Sequence, residues 1–372
     1  MVMSIYHGVL YGFHCITQRN LILSFDSISH LFLCILLARH YGLYGLVFAR
    51  AVQYCITLAI SIALLKSRLK TLPIIPYQWN RDSFREMFNY AIKFQFITLL
   101  MMFADPLTKG FISRFGNISM VAYYDMASKL LQLFRSLIVN ANQVLVPSFA
   151  RVKQLDPSRI NEVFLMSHSI VIFLVTIGFG GLIVSAPLIS FLWLGYYESV
   201  FVISIILLSM GWLINTWSVP AYMASLGTGD IQDNLVTHIL LSGANIGLIW
   251  LVGELWSGMG VIVAWSVSLA LGGVLLNILY YRRRNINISE LVPGSSRLLV
   301  LSVVIAMLVS LLLWQEQGHI PGLLKNMNMG AEYIPELIYA VLTIACFVII
   351  ILFPAWQHPV RKQLLNLVFK KN

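Results

Sequence analysis

The sequence predicts an all-α, polytopic transmembrane helix bundle of about 10–11 spans, and three observations carry that reading. Hydrophobic residues make up 59% of the 372 residues and charged residues only 11%, with a mean hydropathy of +0.81. A soluble domain carries about 25% charged residues, so this composition cannot clothe a globular surface in water. Second, the apolar residues gather into stretches of the length that crosses a bilayer, about 20 residues. Third, Lys and Arg collect between alternate stretches, the pattern of cytoplasmic loops. The lipid bilayer is therefore an expected partner. The net charge of +10 would suggest nucleic acid in a soluble chain; here it reads as loop charge, and no nucleic-acid partner is expected.

Residues 1–17 form a short, weak apolar stub. The first clear span, 20–38, opens on Ser24, Asp26, Ser27, Ser29 and His30; a buried polar contact and an ion or proton site are equally open for Asp26. The second, 42–65, carries Arg50 near its start, either snorkelling to the interface or lining a cavity. In the connection 66–89, Arg81, Arg85 and Asn89 recur at i, i+4, i+8 while Phe84, Met87 and Phe88 face another side. That spacing predicts an interfacial amphipathic helix dividing two bundles, or an ordinary cap on the next span. Spans at 90–112 and 118–145 form a hairpin.

Spans at 164–187, 199–220, 234–254 and 259–281 follow, with no Lys or Arg anywhere from 160 to 281, so this half is expected to be structural or lipid-facing. Pro187 and Pro220 are expected at helix ends or kinks. Gly243 and Gly247 form a GxxxG, which predicts close helix packing. His168, His238, Asn215 and Asn277 are isolated and read as satisfied core polar residues. The last two spans are 297–315 and 336–354. The expected domains are thus 1–78, the remnant of an N-terminal helical lobe; 79–281, a six-helix lobe with its leading interfacial helix; and 282–372, two additional helices and a tail.

Of the 25 Lys and Arg, eighteen fall in loops on one side, among them Arg81, Arg85, Arg151, Lys153, Arg282, Arg283, Arg284 and Arg361. Only Arg39, Arg114 and Lys325 fall in loops on the other. This predicts a cytoplasmic C-terminus. By parity the stub, if it spans, would start outside without a cleavable signal, so the chain reads as the remainder of a longer protein.

Apart from Lys93 and Arg114 near the loops, the hairpin 90–145 holds five charges: Asp105, Lys109, Asp125, Lys129 and Arg135. A charge at mid-bilayer costs about 2.5–3.5 kcal/mol, so they must face protein or water. Asp105–Lys109 and Asp125–Lys129 are both i, i+4 pairs with the acid first, the better helical orientation. Asp125, Lys129, Gln132, Ser136, Asn140 and Gln143 make one continuous polar face. Pro106 is expected to kink or break the first helix. The pairs could be salt bridges that lock two helices, or the stripe could be the wall of a water-filled cavity. The length of the stripe, and an Arg135 with no acid at helical spacing, favour the wall.

Chemistry-bearing motifs are absent: no GxxxxGK[ST], HExxH, GxSxG, DxD or zinc and iron–sulfur cysteine spacing occurs. Cys15, Cys34, Cys55 and Cys346 lie far apart in apolar stretches and read as small core residues. No enzyme activity, cofactor or metal is expected.

One resemblance follows from these residues. Asp105 to Arg114, then Val121-Ala122-Tyr123-Tyr124-Asp125-Met126-Ala127-Ser128-Lys129-Leu130, resembles the paired-helix signature of polysaccharide and O-antigen flippases, members of the multidrug/oligosaccharidyl-lipid/polysaccharide exporter superfamily. Pro147-Ser148-Phe149-Ala150-Arg151 is similar to the close of that family's eighth helix, Pro220 with Ala224-Ser225-Leu226-Gly227 to its tenth-helix ending, and Gly42 to Arg50 to the start of its sixth. Gln95 departs from the Pro or small residue usual there. The resemblance implies two six-helix lobes around a cavity open to either side in turn, two extra C-terminal helices, and about three missing N-terminal helices. It implies a flippase of the bacterial plasma (inner) membrane that carries an undecaprenyl-diphosphate-linked oligosaccharide to the periplasmic leaflet and makes no covalent bond. The polysaccharide polymerase machinery is a further partner. Lys109, Lys129, Arg135, Arg50 and Gln132 would bind substrate, and Asp105, Asp125 and Asp26 would pair or couple charge. The alternatives are a cation-coupled multidrug exporter of the same superfamily and a truncated, inactive flippase.

Overall fold

The computed structural model describes residue 8 and residues 16–68, 80–315 and 334–361. Most of the stub at 1–17, the outer connection with Lys325, and Lys70, Lys362, Lys370 and Lys371 lie outside the described residues. Among the described residues, all regular structure is helical: α1 Ile16–Arg68, α2 Arg81–Phe115, α3 Ile118–Asn142, α4 Leu145–Leu155, α5 Ile160–Leu194, α6 Ser199–Thr216, α7 Val219–Thr228, α8 Gln232–Arg283, α9 Gly294–Gln315 and α10 Ile334–Gln357, with short 3₁₀ turns at Pro157–Arg159 and Ile288–Leu291. Six helical stretches among the described residues are long and apolar enough to cross a membrane. The chain is therefore an all-α, multi-pass membrane protein. It falls into two compact units, Met1–Met87 and Phe88–Asn372.

Two helices are too long for one crossing. α1 has 53 residues and α8 has 52, against the ~20 that cross a hydrocarbon core. Each is a hairpin of two spans. α1 turns at Gly42, φ 55 and ψ −132, and α8 at Trp256 and Ser257, the latter at φ 52 and ψ −145. The arms of α1 lie side by side, since Thr57 donates to Asp26 across them at 2.9 Å. Those of α8 do too: Gly272 packs on Leu241, and Arg283 at one end pairs with Asp230 just before the other. Both turns share a further feature. A Cβ on Gly45 would meet the Leu37 carbonyl, and one on Gly260 the Val252 carbonyl. The sequence-predicted pairs 20–38/42–65 and 234–254/259–281 are these four arms.

α2 and α3 make a third hairpin through Gly116 and Asn117. Asn117 caps α3, its side chain accepting from the Met120 amide at 2.8 Å. Gly116 lies against Gly258, so the tips of the α2–α3 and α8 hairpins meet at one end of the C-terminal unit. At the opposite end Arg283 pairs with Asp230 and, at 2.9 Å, with Asp233, and Lys153 donates to the Thr228 carbonyl at 2.7 Å. Burial raises the Asp230 carboxyl, but the hydrogen bond and charge of Arg283 outweigh it and hold the group below its ordinary value.

The core of this unit is α6, which contacts α3, α5 and α8. Leu131, Phe179, Phe201, Leu208 and Ile262 meet there, all nearly or fully buried. Glycine sets the closest approach: a Cβ on Gly211 would strike the Ser266 backbone, and one on Gly273 the backbone of Ile214 and Asn215. Ser266 also donates to the Leu207 carbonyl. α9 and α10 pack on α5 through Phe173, Leu299, Val303 and Phe347.

Some expected breaks and contacts change, and others hold. Pro106 lies inside α2, which runs through it unbroken. Only one backbone bond is lost, and Lys109 bonds Asp105 on the preceding turn and Asp125 across the hairpin, bracing both sides. Pro187 likewise sits inside α5, beside the fully buried Ala186. Pro220 does mark an end, in the first turn of α7. Gly243 and Gly247 face open space, because the close packing of α8 uses the other arm. The amphipathic segment 81–89 continues into the following span as one helix, with the Asn80 side chain accepting from the Asp82 and Ser83 amides.

Candidate functional site

The five hairpin charges separate into a closed network and one outlier. Lys109 Nζ, on α2, lies 2.6 Å from Asp105 on its own helix and 2.6 Å from Asp125 on α3. Asp125 in turn holds Lys129 at 2.7 Å. Acid and base alternate, so the four charges sum to zero. Both i, i+4 pairs form, and Lys109 joins them across the hairpin. Sequence spacing cannot show that cross-link, because it depends on the turn at Asn117. Lys129 is the most exposed member, at 69%.

Arg135 stands apart. A cavity of about 420 Å³ lies wholly within the C-terminal unit, lined by Arg135, Asp105, Gln132, Ser136 and Asn140 together with Trp212, Asn215, His238, Ser242 and Trp265. A smaller chamber of about 200 Å³ shares Arg135, Asn215 and His238 and adds Tyr222, Ser218 and Thr237. The Arg135 guanidinium sits over the Trp212 ring, 4.4 Å from its centroid. Its Nε is buried and has no hydrogen-bond partner. Trp265 meets Trp212 edge-on at 6.5 Å. Lys109, Asp125 and Lys129 do not line this cavity, so the stripe on α3 divides: its first part locks the hairpin and its second faces the cavity.

The polar lining is mostly neutral. Gln132 donates to Ser128 at 3.0 Å, and Asn215 donates to the Leu269 carbonyl at 3.1 Å. His238 Nδ1 lies 2.8 Å from the Asn234 carbonyl, which fixes that nitrogen as the donor and leaves Nε2 as an acceptor. Asn215, His238 and Trp212 are cavity residues that the sequence reading missed. Each is uncharged and lies in a span without Lys or Arg, so nothing in its spacing marks it. His168 is the core residue expected, bonded to the Leu291 carbonyl at 3.1 Å.

The remaining candidates lie in the N-terminal unit and form a ladder between the arms of α1. Arg50 Nη1 donates to Gln53 at 2.9 Å and stands 3.9 Å from Asp26 Oδ2. Gln53 donates to Thr57 at 3.1 Å, and Thr57 donates to Asp26. Gln53 and Thr57 are buried, whereas the Arg50 side chain is 60% exposed. Asp26 thus has both a buried polar contact and a charged neighbour. Arg50, His30 and Tyr54 line a separate, shallow cavity in the same unit.

No curated protein sequence matches the chain. Its fold is similar to that of the lipid II flippase MurJ in an inward closed conformation, with a TM-score of 0.56 over 94% of this chain and 70% of that one. At 14% identity that likeness is one of fold. The sequence of residues 13–201, half of the chain, matches a family of polysaccharide biosynthesis proteins. On that match the chain belongs to the polysaccharide biosynthesis protein family.

Proposed function

We propose that the protein is a flippase for a polyprenyl-diphosphate-linked oligosaccharide, such as an O-antigen or other surface-polysaccharide repeat unit. It carries this lipid from the cytoplasmic to the periplasmic leaflet of the bacterial plasma membrane by alternating access, and it makes and breaks no covalent bond. The carrying observation is the cavity of about 420 Å³ with Arg135 as its one unneutralised cation. A buried guanidinium is costly in a membrane bundle, and such residues mark substrate paths. Its planar fork suits phosphate and carboxylate oxygens. Gln132, Ser136, Asn140 and Asn215 supply neutral groups for sugar hydroxyls, and Trp265 an aromatic wall. Membership of a polysaccharide biosynthesis family and the MurJ-like fold support the same reading.

In this proposal Lys109 positions: it ties α2 to α3 and holds Asp105 at the cavity edge. Lys129 is exposed enough to attract the diphosphate on approach. Arg50 and Asp26 serve the N-terminal unit, where a loosely held ion pair can open and close during the cycle. The three-part division at 1–78, 79–281 and 282–372, a cytoplasmic C-terminus and the polymerase partner belong to the same reading.

The test is a strain that depends on this protein for surface polysaccharide. Depletion should leave the lipid-linked repeat unit inside, and the wild-type gene should restore surface polymer. Arg135→Ala should insert at normal levels and restore about a tenth or less, matching the loss of one charged hydrogen-bonding contact of roughly 1.5–3 kcal/mol. Full restoration by a well-inserted Arg135→Ala would exclude the cavity as the substrate path.

A further inference from the structure

Two opposite charges stand unpaired at the end of the C-terminal unit where the hairpin tips meet. Arg114 lies in the last turn of α2, two residues before Gly116. Its guanidinium rests on aromatic rings, 5.3 Å from the centroid of Trp250 on α8 and 5.7 Å from that of Phe115. Trp250 in turn meets Phe111 and Phe115 edge-on, each at 6.3 Å, and the Phe115 ring lies 3.2 Å from where a Cβ on Gly253 would stand. Glu254 follows Trp250 by four residues, so it lies one turn nearer the tip on the same helix face. Both Arg114 and Glu254 are exposed, and among the described residues neither takes part in an ion pair. The carboxylate is poorly placed alone. Two residues on, the helix breaks at Trp256 and Ser257, and a negative charge in a last turn meets the negative end of the helix dipole. No Lys or Arg occurs from 160 to 281, so α8 offers it no cation over this arm. Stacking on a ring uses the π face of a guanidinium and leaves its N–H edge for an acceptor. Leu251, Leu255 and Trp256, 68%, 77% and 62% exposed, add apolar surface of the kind that meets lipid, with the Trp at a helix end as at a headgroup level.

We propose that Arg114, Trp250 and Glu254 form a headgroup site for phosphatidylethanolamine in the leaflet at this end of the bundle. The lipid phosphate accepts from the N–H edge of Arg114 while the indole holds the guanidinium in place, and the lipid ammonium donates to Glu254. A phosphoethanolamine carries one negative and one positive charge a few bonds apart, so it satisfies both open charges at once. Phosphatidylglycerol would neutralise Arg114 but set a second anion beside Glu254. Phosphatidylcholine has the same two charges but no N–H to donate to the carboxylate. The site lies outside the Arg135 cavity, and the inference does not depend on the flippase reading.

Native mass spectrometry of the purified protein supplies the test. The protein is titrated with phosphatidylethanolamine, phosphatidylcholine and phosphatidylglycerol of the same acyl chains, and the affinity for the first bound lipid is read for each. Phosphatidylethanolamine should bind about fivefold tighter than either of the others, as one added exposed ion pair allows. Glu254→Gln should remove that preference and leave phosphatidylglycerol bound through Arg114. Arg114→Gln should weaken phosphatidylethanolamine by about fivefold, and Arg114→Lys, which keeps charge but loses the ring stacking, should fall between. Should Arg114→Gln fail to fold, the wild-type comparison of the three lipids and Glu254→Gln still decide. Equal affinity for the three lipids in wild type would overturn the site. So would a phosphatidylethanolamine preference that survives both Arg114→Gln and Glu254→Gln. A wild-type preference for phosphatidylglycerol that is lost in Arg114→Gln would also refute it, and would make Arg114 a simple interfacial anchor.

Discussion

Lys109 is the residue on which the α2–α3 hairpin turns. Its ammonium meets two carboxylates at 2.6 Å each, one from either helix, and is itself 29% exposed. An exposed pair contributes about 0–1 kcal/mol and breaking a buried one costs about 3–5; this site lies between. Lys109→Met should therefore lower stability in detergent by about 1–3 kcal/mol, because Asp105 is stranded while Asp125 keeps Lys129. Adding Asp105→Asn should recover most of the loss, and a double-mutant cycle on thermal midpoints reads the coupling. His358 gives a second residue-scale prediction. It lies just past α10, bonded to Ser296 at 3.0 Å and packed on Phe173, and burial lowers its affinity for a proton below the ordinary value of 6.5. The unfolded chain then binds more protons than the folded one just below pH 6.5, so this contribution is full above that pH and is lost as pH falls through it. The midpoint should drop more steeply below pH 6.5 in wild type than in His358→Gln. The charged residues of the site were legible from spacing alone. The Trp212 face under Arg135 was not, since it comes from α6 and no periodicity within α3 can announce it.

At the scale of elements, the backbone turns of α1 and α8 are built alike. Gly42 and Ser257 adopt nearly the same conformation, and Gly45 and Gly260 each pass a carbonyl too closely for a Cβ. Ser257 does this with a side chain, in a region costing a non-glycine residue about 1–3 kcal/mol. Ser257→Gly should stabilise by roughly 1 kcal/mol, and Gly45→Ala or Gly260→Ala should destabilise by more, as both must move backbone. The helix contacts follow the same logic. Gly211→Ala should cost about 1–3 kcal/mol by overpacking against Ser266, whereas Gly243→Ala and Gly247→Ala should be neutral or slightly stabilising. Thermal midpoints of the set check both statements. The sequence pattern pointed to Gly243 and Gly247 because GxxxG is visible along one helix. The glycines that pack are identified by what lies across from them. The spans themselves were readable, since hydropathy reports length and the bilayer sets it. The uninterrupted passage through Pro106 was not readable, because half of the brace is Asp125, which reaches Lys109 from α3.

For the whole molecule, the proposed topology rests on charge asymmetry and the proposed function on the cavity. The hairpin tips at Gly116 and Gly258 share one end of the C-terminal unit, while Arg283, Asp230, Asp233 and Lys153 share the other. The proposed topology, with basic loops inside, assigns that second end to the cytoplasm. A reporter active only in the periplasm should be silent when fused after Asn372 and active when inserted at Asn117; the reverse would invert the topology. Family membership was visible in the order of motifs through the first half of the chain, where the family match also lies. The central claim is that the Arg135 cavity carries a lipid-linked oligosaccharide from leaflet to leaflet. The most direct measurement reconstitutes the purified chain in vesicles with a fluorescent polyprenyl-diphosphate oligosaccharide and follows its accessibility to a membrane-impermeant quencher. The account predicts exchange between leaflets with wild type and at least about tenfold slower exchange with Arg135→Ala at equal incorporation, as the loss of one charged contact implies. Exchange at the same rate in both, or none above empty vesicles with wild type, would contradict it.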